Sequence, residues 1–226
     1  MKTDELIERL VQDSEPVSRL RPPSTRAAIW FALGIPSVAL VVLVMSPRSD
    51  LFAKLSDPAY LIEQSAALAT GITVVLAAFA SIVPGFDRRY LLLPVFPFVI
   101  WFGSLGLGCI QSWLQFGPDG LSLQPDWFCF PAIVLVGMVP AITMAVMLRR
   151  GAPLTPHLTT ALGGLAAAGL GNFGLRLFHP QDASIMVLVW QMGTVFVLTA
   201  LAGWAGRFLL DWRSRIEDAR RRIVPR

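Results

Sequence analysis

Chemistry in this 226-residue sequence has few places to reside, and the two cysteines come first. Cys109 and Cys129 flank a stretch holding Gly117-Pro118-Asp119-Gly120 and Gln124-Pro125, all turn formers. Two thiols so placed support three chemistries. In an oxidising compartment they can join, and closing a loop of this size constrains the unfolded chain by roughly 3 kcal/mol. They can pack as inert small hydrophobes. They can also bind a soft metal, with His179 as a candidate third ligand, although a lone histidine beside Pro180 reads equally as a satisfied polar residue. No metal site is assigned on this basis. A disulfide that forms and breaks, or a metal that comes and goes, would make Cys109 and Cys129 a signal-sensing pair. The sequence has no glycine-rich phosphate loop, no His-x-x-x-His pair and no serine set beside a histidine and an acid. Neither enzymatic activity nor a cofactor is expected.

A second candidate lies at the front of the chain. Leu6, Ile7, Leu10 and Val11 share one face at helical spacing, while Glu8, Arg9, Gln12 and Asp13 fall elsewhere. Asp4 and Glu5 suit the positive end of such a helix. Val17 and Leu20 extend the apolar pattern beyond Pro16, and Arg21-Pro22-Pro23 forms an extended spacer. Residues 1–20 hold five acids (Asp4, Glu5, Glu8, Asp13, Glu15) against three bases (Lys2, Arg9, Arg19). A helix meant for an anionic leaflet is usually basic. An acidic one suits a groove on a basic protein, or the arginines of this chain's own loops.

These elements must be carried by a body of unusual composition. Hydrophobic residues make up 54% and charged residues 15%, which excludes disordered, collagen-like and disulfide-dense classes and makes a soluble enzyme improbable. The apolar residues gather into six runs of near bilayer-spanning length: 27–45, 64–83, 91–110, 128–148, 158–175 and 183–205. The fifth is the weakest, being short and rich in glycine. The first 26 residues begin acidic and lack an apolar core, so no cleavable signal peptide is expected.

Basic residues fix the orientation. Lys2, Arg9, Arg19, Arg21, Arg26, Arg88, Arg89, Arg149, Arg150 and the seven arginines from Arg207 onward fall on one side, against Arg48, Lys54 and Arg176 on the other. The positive-inside rule puts both termini in the cytoplasm. The net charge of +4 then reflects topology and attraction to anionic lipid, not nucleic-acid binding. The basic tail, residues 211–226, reads as a topology anchor. Trp30, Trp127 and Trp212 are expected at the interfaces. Few ionisable groups lie deep in the spans, which argues against a pump. Glu63 is expected in reach of water and Arg176 in reach of Asp182. Asn172 and Gln191 are expected to bond between neighbouring spans. Gly163–Gly171, Gly103, Gly106, Gly203 and Gly206 are expected to let helices approach closely.

Several strings in this order carry a resemblance. They are Met1-Lys2-Thr3-Asp4-Glu5-Leu6-Ile7 with Pro16-Val17 and Leu20-Arg21-Pro22-Pro23, and Arg149-Arg150-Gly151-Ala152-Pro153. Gly108-Cys109 with Trp127-Phe128-Cys129, and Leu177-Phe178-His179-Pro180 leading to Asp182-Ala183-Ser184 and Val189-Trp190, complete the set. On a six-span background the chain resembles the NrsF-type membrane anti-sigma factors over nearly its whole length, departing at Gln191, where similar sequences tend to carry histidine. The resemblance implies that the N-terminal segment holds an extracytoplasmic-function sigma factor away from RNA polymerase, with Leu6, Ile7, Leu10, Val11, Val17 and Leu20 as the partner-binding residues.

The reading is an all-α integral membrane protein of six transmembrane helices, N-in and C-in, in a bacterial inner membrane. Residues 1–26 form the cytoplasmic partner-binding segment, 27–210 the transmembrane domain and 211–226 the basic tail. Its partners are a sigma factor and the lipid bilayer, with no direct nucleic acid, and release follows a periplasmic redox or metal signal. The competing readings are a small transporter or channel for an uncharged or metal solute, and a structural assembly factor.

Overall fold

A computed structural model describes residues 3–12, 20–121, 123, 126–151, 154–180 and 184–210. Helix α1 spans Thr3–Gln12, α2 Pro23–Met45, the short α3 Leu51–Lys54 and α4 Pro58–Ser81. Then come α5 (Val95–Phe116), α6 (Cys129–Leu148) and α7 (Pro156–Leu175). The last span opens as α8 (Ser184–Met186), widens into a π-helical stretch over Val187–Met192 and finishes as α9 (Gly193–Leu209). Six of these helices are long and apolar enough to cross a membrane, and among the described residues there is no strand. Backbone groups in lipid must be satisfied within the segment, which is what a helix provides.

Local chemistry explains where the helices begin. The Asp57 side chain accepts a hydrogen bond from the backbone N–H of Ala59 at 3.0 Å, and Pro58 fits the first helical position. The second span therefore starts well before Gln64. The third starts later than Leu91, because Arg88–Leu91 forms a separate 3₁₀ turn capped by Asp87. It also runs past Ile110 to Phe116. Pro22, at φ −50° and ψ 149°, holds the extended spacer before α2.

Helix α7 is the hub. It packs on α9, α6 and α4 and touches α2. Its spanning window is 67% buried, against 22% for α2. Small residues make this possible. A Cβ on Gly171 would sit 2.7 Å from the carbonyl oxygen of Ile133, and one on Gly137 3.0 Å from that of Ala167, so α6 and α7 meet backbone to backbone. Gly163, Gly164, Gly203 and Gly206 are likewise pressed by neighbouring helices. Gly103 and Gly106 are not: nothing lies within 4 Å of where their Cβ would be, so they take no part in close packing.

Two expectations about polar and aromatic residues are corrected. Trp30 is fully buried and not interfacial, because its indole N–H finds a buried acceptor in the carbonyl of Pro140 at 2.9 Å. Trp127 is exposed as expected, and Trp212 lies outside the described residues. Asn172 and Gln191 are buried but do not bond each other: among the described residues, neither polar atom of the Gln191 side chain, nor Oδ1 of Asn172, has a hydrogen-bond partner. Gln191 sits inside the π-helical stretch, whose altered turn breaks the register assumed for a regular helix.

Candidate functional site

Alternating spans put the α4 and α6 starts and the α7 end at the end of the bundle opposite the start of α2. Here the turn before α6 carries Asp126, three residues ahead of Cys129 at the helix start. The Cys129 thiol donates to Oδ2 of Asp126 at 3.0 Å. The Nε2–H of His179 donates to the same oxygen at 2.8 Å, since an ionised carboxylate only accepts. The chain turns after α7 to bring His179 there, its backbone N–H bonding the carbonyl of Leu175 at 2.8 Å. The Phe128 ring lies 5.5 Å from the imidazole, and Trp127 packs 5.4 Å from Trp190 at the π-helical stretch.

The thiol sulfur, imidazole nitrogen and carboxylate oxygen all lie within 4.8 Å of one another. Cys129 is buried, and the side chains of His179 and Asp126 are 18% and 12% exposed. Burial raises the Asp126 carboxyl. Bonds from Cys129 and His179, the charge of His179 and the Phe128 backbone outweigh it and hold the group below the usual aspartate value. One sulfur, one nitrogen and one oxygen donor form a set that suits a borderline or soft divalent cation with a fourth position open.

Both cysteines are free thiols. Cys109 is half-buried within α5, about two turns before the helix ends at Phe116, and not at the span end. Cys129 begins α6 as expected. The structure joins Cys129 to His179 through Asp126, a residue the sequence reading passed over. Its signal was the Asp126-Trp127-Phe128-Cys129 spacing at a helix start, which folds the carboxylate back toward the thiol.

A second polar group lies at this end. Arg176 pairs with Glu63 at 3.0 Å, with side chains only 6% and 14% exposed. Glu63 is half-buried: α7 presents an arginine to it, and its other side lines a polar cavity that water can enter. The guanidinium lies 5.3 Å over the Tyr60 ring, and the Tyr60 hydroxyl donates to the Arg176 carbonyl at 3.2 Å. Asp182, the expected partner, lies outside the described residues.

At the opposite end, α1 forms where the apolar spacing puts it, with Asp4 and Glu5 in its first turn. Ile7 is 54% and Val11 66% exposed, and Leu20 is exposed at the entry to α2. Leu6 and Leu10 lie within α1, and Val17 lies outside the described residues.

Comparison with known proteins gives two matches. A family model described as negative regulator of sigma F matches residues 10–212. An anti-sigma-F factor, NrsF, of Caulobacter vibrioides (strain NA1000 / CB15N) is 26% identical over 220 residues, covering 94% of this chain and 100% of the relative. No solved structure matches.

Proposed function

The chain belongs to the family of negative regulators of sigma F, and from that premise we propose that it holds an extracytoplasmic-function sigma factor at the bacterial inner membrane through residues 1–26. The membrane domain, residues 27–210, anchors that segment, and the basic tail, residues 211–226, lies at the cytoplasmic surface. The observation that carries the reading is helix α1 itself: Ile7 and Val11 are exposed on a helix whose Asp4, Glu5 and Glu8 are exposed too. An exposed apolar face ringed by acids fits a protein that presents basic surfaces to DNA and apolar grooves to polymerase. Inhibition is steric occlusion, with no chemistry performed.

Release starts at the other face. A thiophilic metal or an oxidant acting on Cys129, with Asp126 and His179 beside it, changes the packing at the start of α6; Cys109 sits on α5, which does not pack on α6, as a separate thiol. Helix α6 grips α2 through Trp30 and Pro140, and α2 leads directly back to the partner-binding segment. The test is capture of the sigma factor by the full-length protein in detergent, with residues 1–20 deleted as the comparison. Equal capture by both forms overturns the proposal. Reporter fusions placing residue 1 in the periplasm do so as well.

A further inference from the structure

Where α2 meets α6, at the end of the bundle where α2 begins, there is a cavity of about 950 Å³ that plays no part in holding the sigma factor. Arg21, Arg26 and Arg150 line it, and among the described residues no carboxylate does. Arg26 is only 5% exposed. Its Nη2 donates to the Phe79 carbonyl at 2.5 Å and its guanidinium lies 5.1 Å over the Phe79 ring. Yet its Nε and Nη1 are buried and, among the described residues, have no hydrogen-bond partner. A buried cation with two unmet donors is costly, and an anion in the cavity would satisfy both.

The rest of the lining identifies the anion's chemistry. Leu33 and Ile142, on α2 and α6, extend the cavity about two turns, or ~10 Å, beyond the arginines toward the bilayer centre. With Val146 they are at least half exposed on the lipid-facing surface. A free inorganic anion would leave this apolar part unused. An acidic protein helix would carry charged groups into hydrocarbon, where unsatisfied polar groups are penalised. A charged head on a hydrocarbon tail matches both parts.

We propose that this cavity binds an anionic phospholipid, its headgroup phosphate held by Arg26 with Arg21 and Arg150 and an acyl chain lying along Leu33, Ile142 and Val146. The proposal stands apart from the sigma-factor reading, since neither the partner nor α1 takes part in it.

The full-length protein, purified in mild detergent with equal phosphatidylglycerol and phosphatidylcholine, tests it by native mass spectrometry of retained lipids. Phosphatidylglycerol should be retained at least several-fold over phosphatidylcholine. The double variant R21Q/R150Q, altered at two exposed positions and so expected to fold, should lose that preference. R88Q/R89Q, which changes charge on the same side but outside the cavity, should keep it. Equal retention of the two lipids, or an unchanged preference in R21Q/R150Q, overturns the proposal. Loss of bound lipid to millimolar inorganic phosphate would mark a free-anion site and overturn it too. So would phosphatidylglycerol retention that appears only when residues 3–12 are deleted, since α1 would then be the occupant.

Discussion

Trp30 on α2 donates its indole N–H to the backbone carbonyl of Pro140 on α6 across 2.9 Å, which fastens the first spanning helix to the middle of the fourth. The carbonyl has a second lone pair for this bond, and both partners are buried. Replacing Trp30 with phenylalanine keeps an aromatic ring but loses this interhelical bond and leaves a gap. The fold should lose about 1–3 kcal/mol, read as a lower thermal midpoint in detergent. If α2 and α6 also couple release, W30F should raise basal sigma-factor activity beyond what its lower abundance explains.

The α6–α7 seam gives a sharper contrast. Alanine at Gly171 would press a methyl group against the Ile133 carbonyl, whereas alanine at Gly103 meets open space. G171A should cost about 1–3 kcal/mol, while G103A should unfold at or slightly above the wild-type temperature. The same two glycines expose a limit of pattern reading. Both sit in apolar runs with glycine neighbours, but only the partner helix decides which one is crowded.

The buried pair Glu63–Arg176 should behave as a unit. Converting Glu63 to glutamine removes a carboxylate 3.0 Å from a buried guanidinium and should cost about 1–3 kcal/mol. Adding Arg176→Met to that variant should recover part of the loss, so the double-mutant cycle shows positive coupling. Strictly additive losses would mean that the two charges do not depend on each other.

Asp126 gives a pH dependence with a definite sign. Its folded-state carboxyl sits below the usual aspartate value of about 3.9. The stability it supplies is therefore fully present above about pH 4 and is lost as pH falls through the lower folded value. The gap in thermal midpoint between wild type and D126N should stay level from neutral pH to about 5 and close below about 4. Cys129→Ser should preserve a donor to Asp126, and so the fold, while removing the thiol sulfur. C129S should then bind the sigma factor normally but fail to release it on exposure to oxidants or thiophilic metals. Unchanged release in C129S would remove this cluster from the signal path.

Much of the architecture is legible in the sequence because lipid imposes length and apolarity on each span. What escapes follows from neighbours. The glycine-rich run at 163–171 looks weak as a span because α7 is shielded from lipid on most sides and needs small residues more than greasy ones. Helix α5 outruns its apolar run because Gln111, Ser112 and Gln115 line a polar cavity of about 440 Å³ with Glu63 and Arg176, so these polar residues stay helical. Asp126 was invisible as a partner of Cys129 and His179 because His179 arrives from a loop 53 positions away. The amphipathic spacing of α1, a purely local signal, was legible.

That helix carries the last prediction. Ile7 and Val11 lie one turn apart and are both exposed, so replacing them leaves the packing of the membrane domain untouched. Aspartate at both positions adds charge without steric conflict, and the double variant should insert and melt like the wild type. If these side chains are buried anchors in the complex, the two substitutions together remove contacts worth at least about 2 kcal/mol, and I7D/V11D should weaken sigma-factor binding by at least about 30-fold. Charge-reversed E5K/E8K should instead slow association, most visibly at low salt, with a smaller effect on dissociation. A double variant I7D/V11D that still binds with wild-type affinity would move the interface off this face of α1, whatever the membrane domain does.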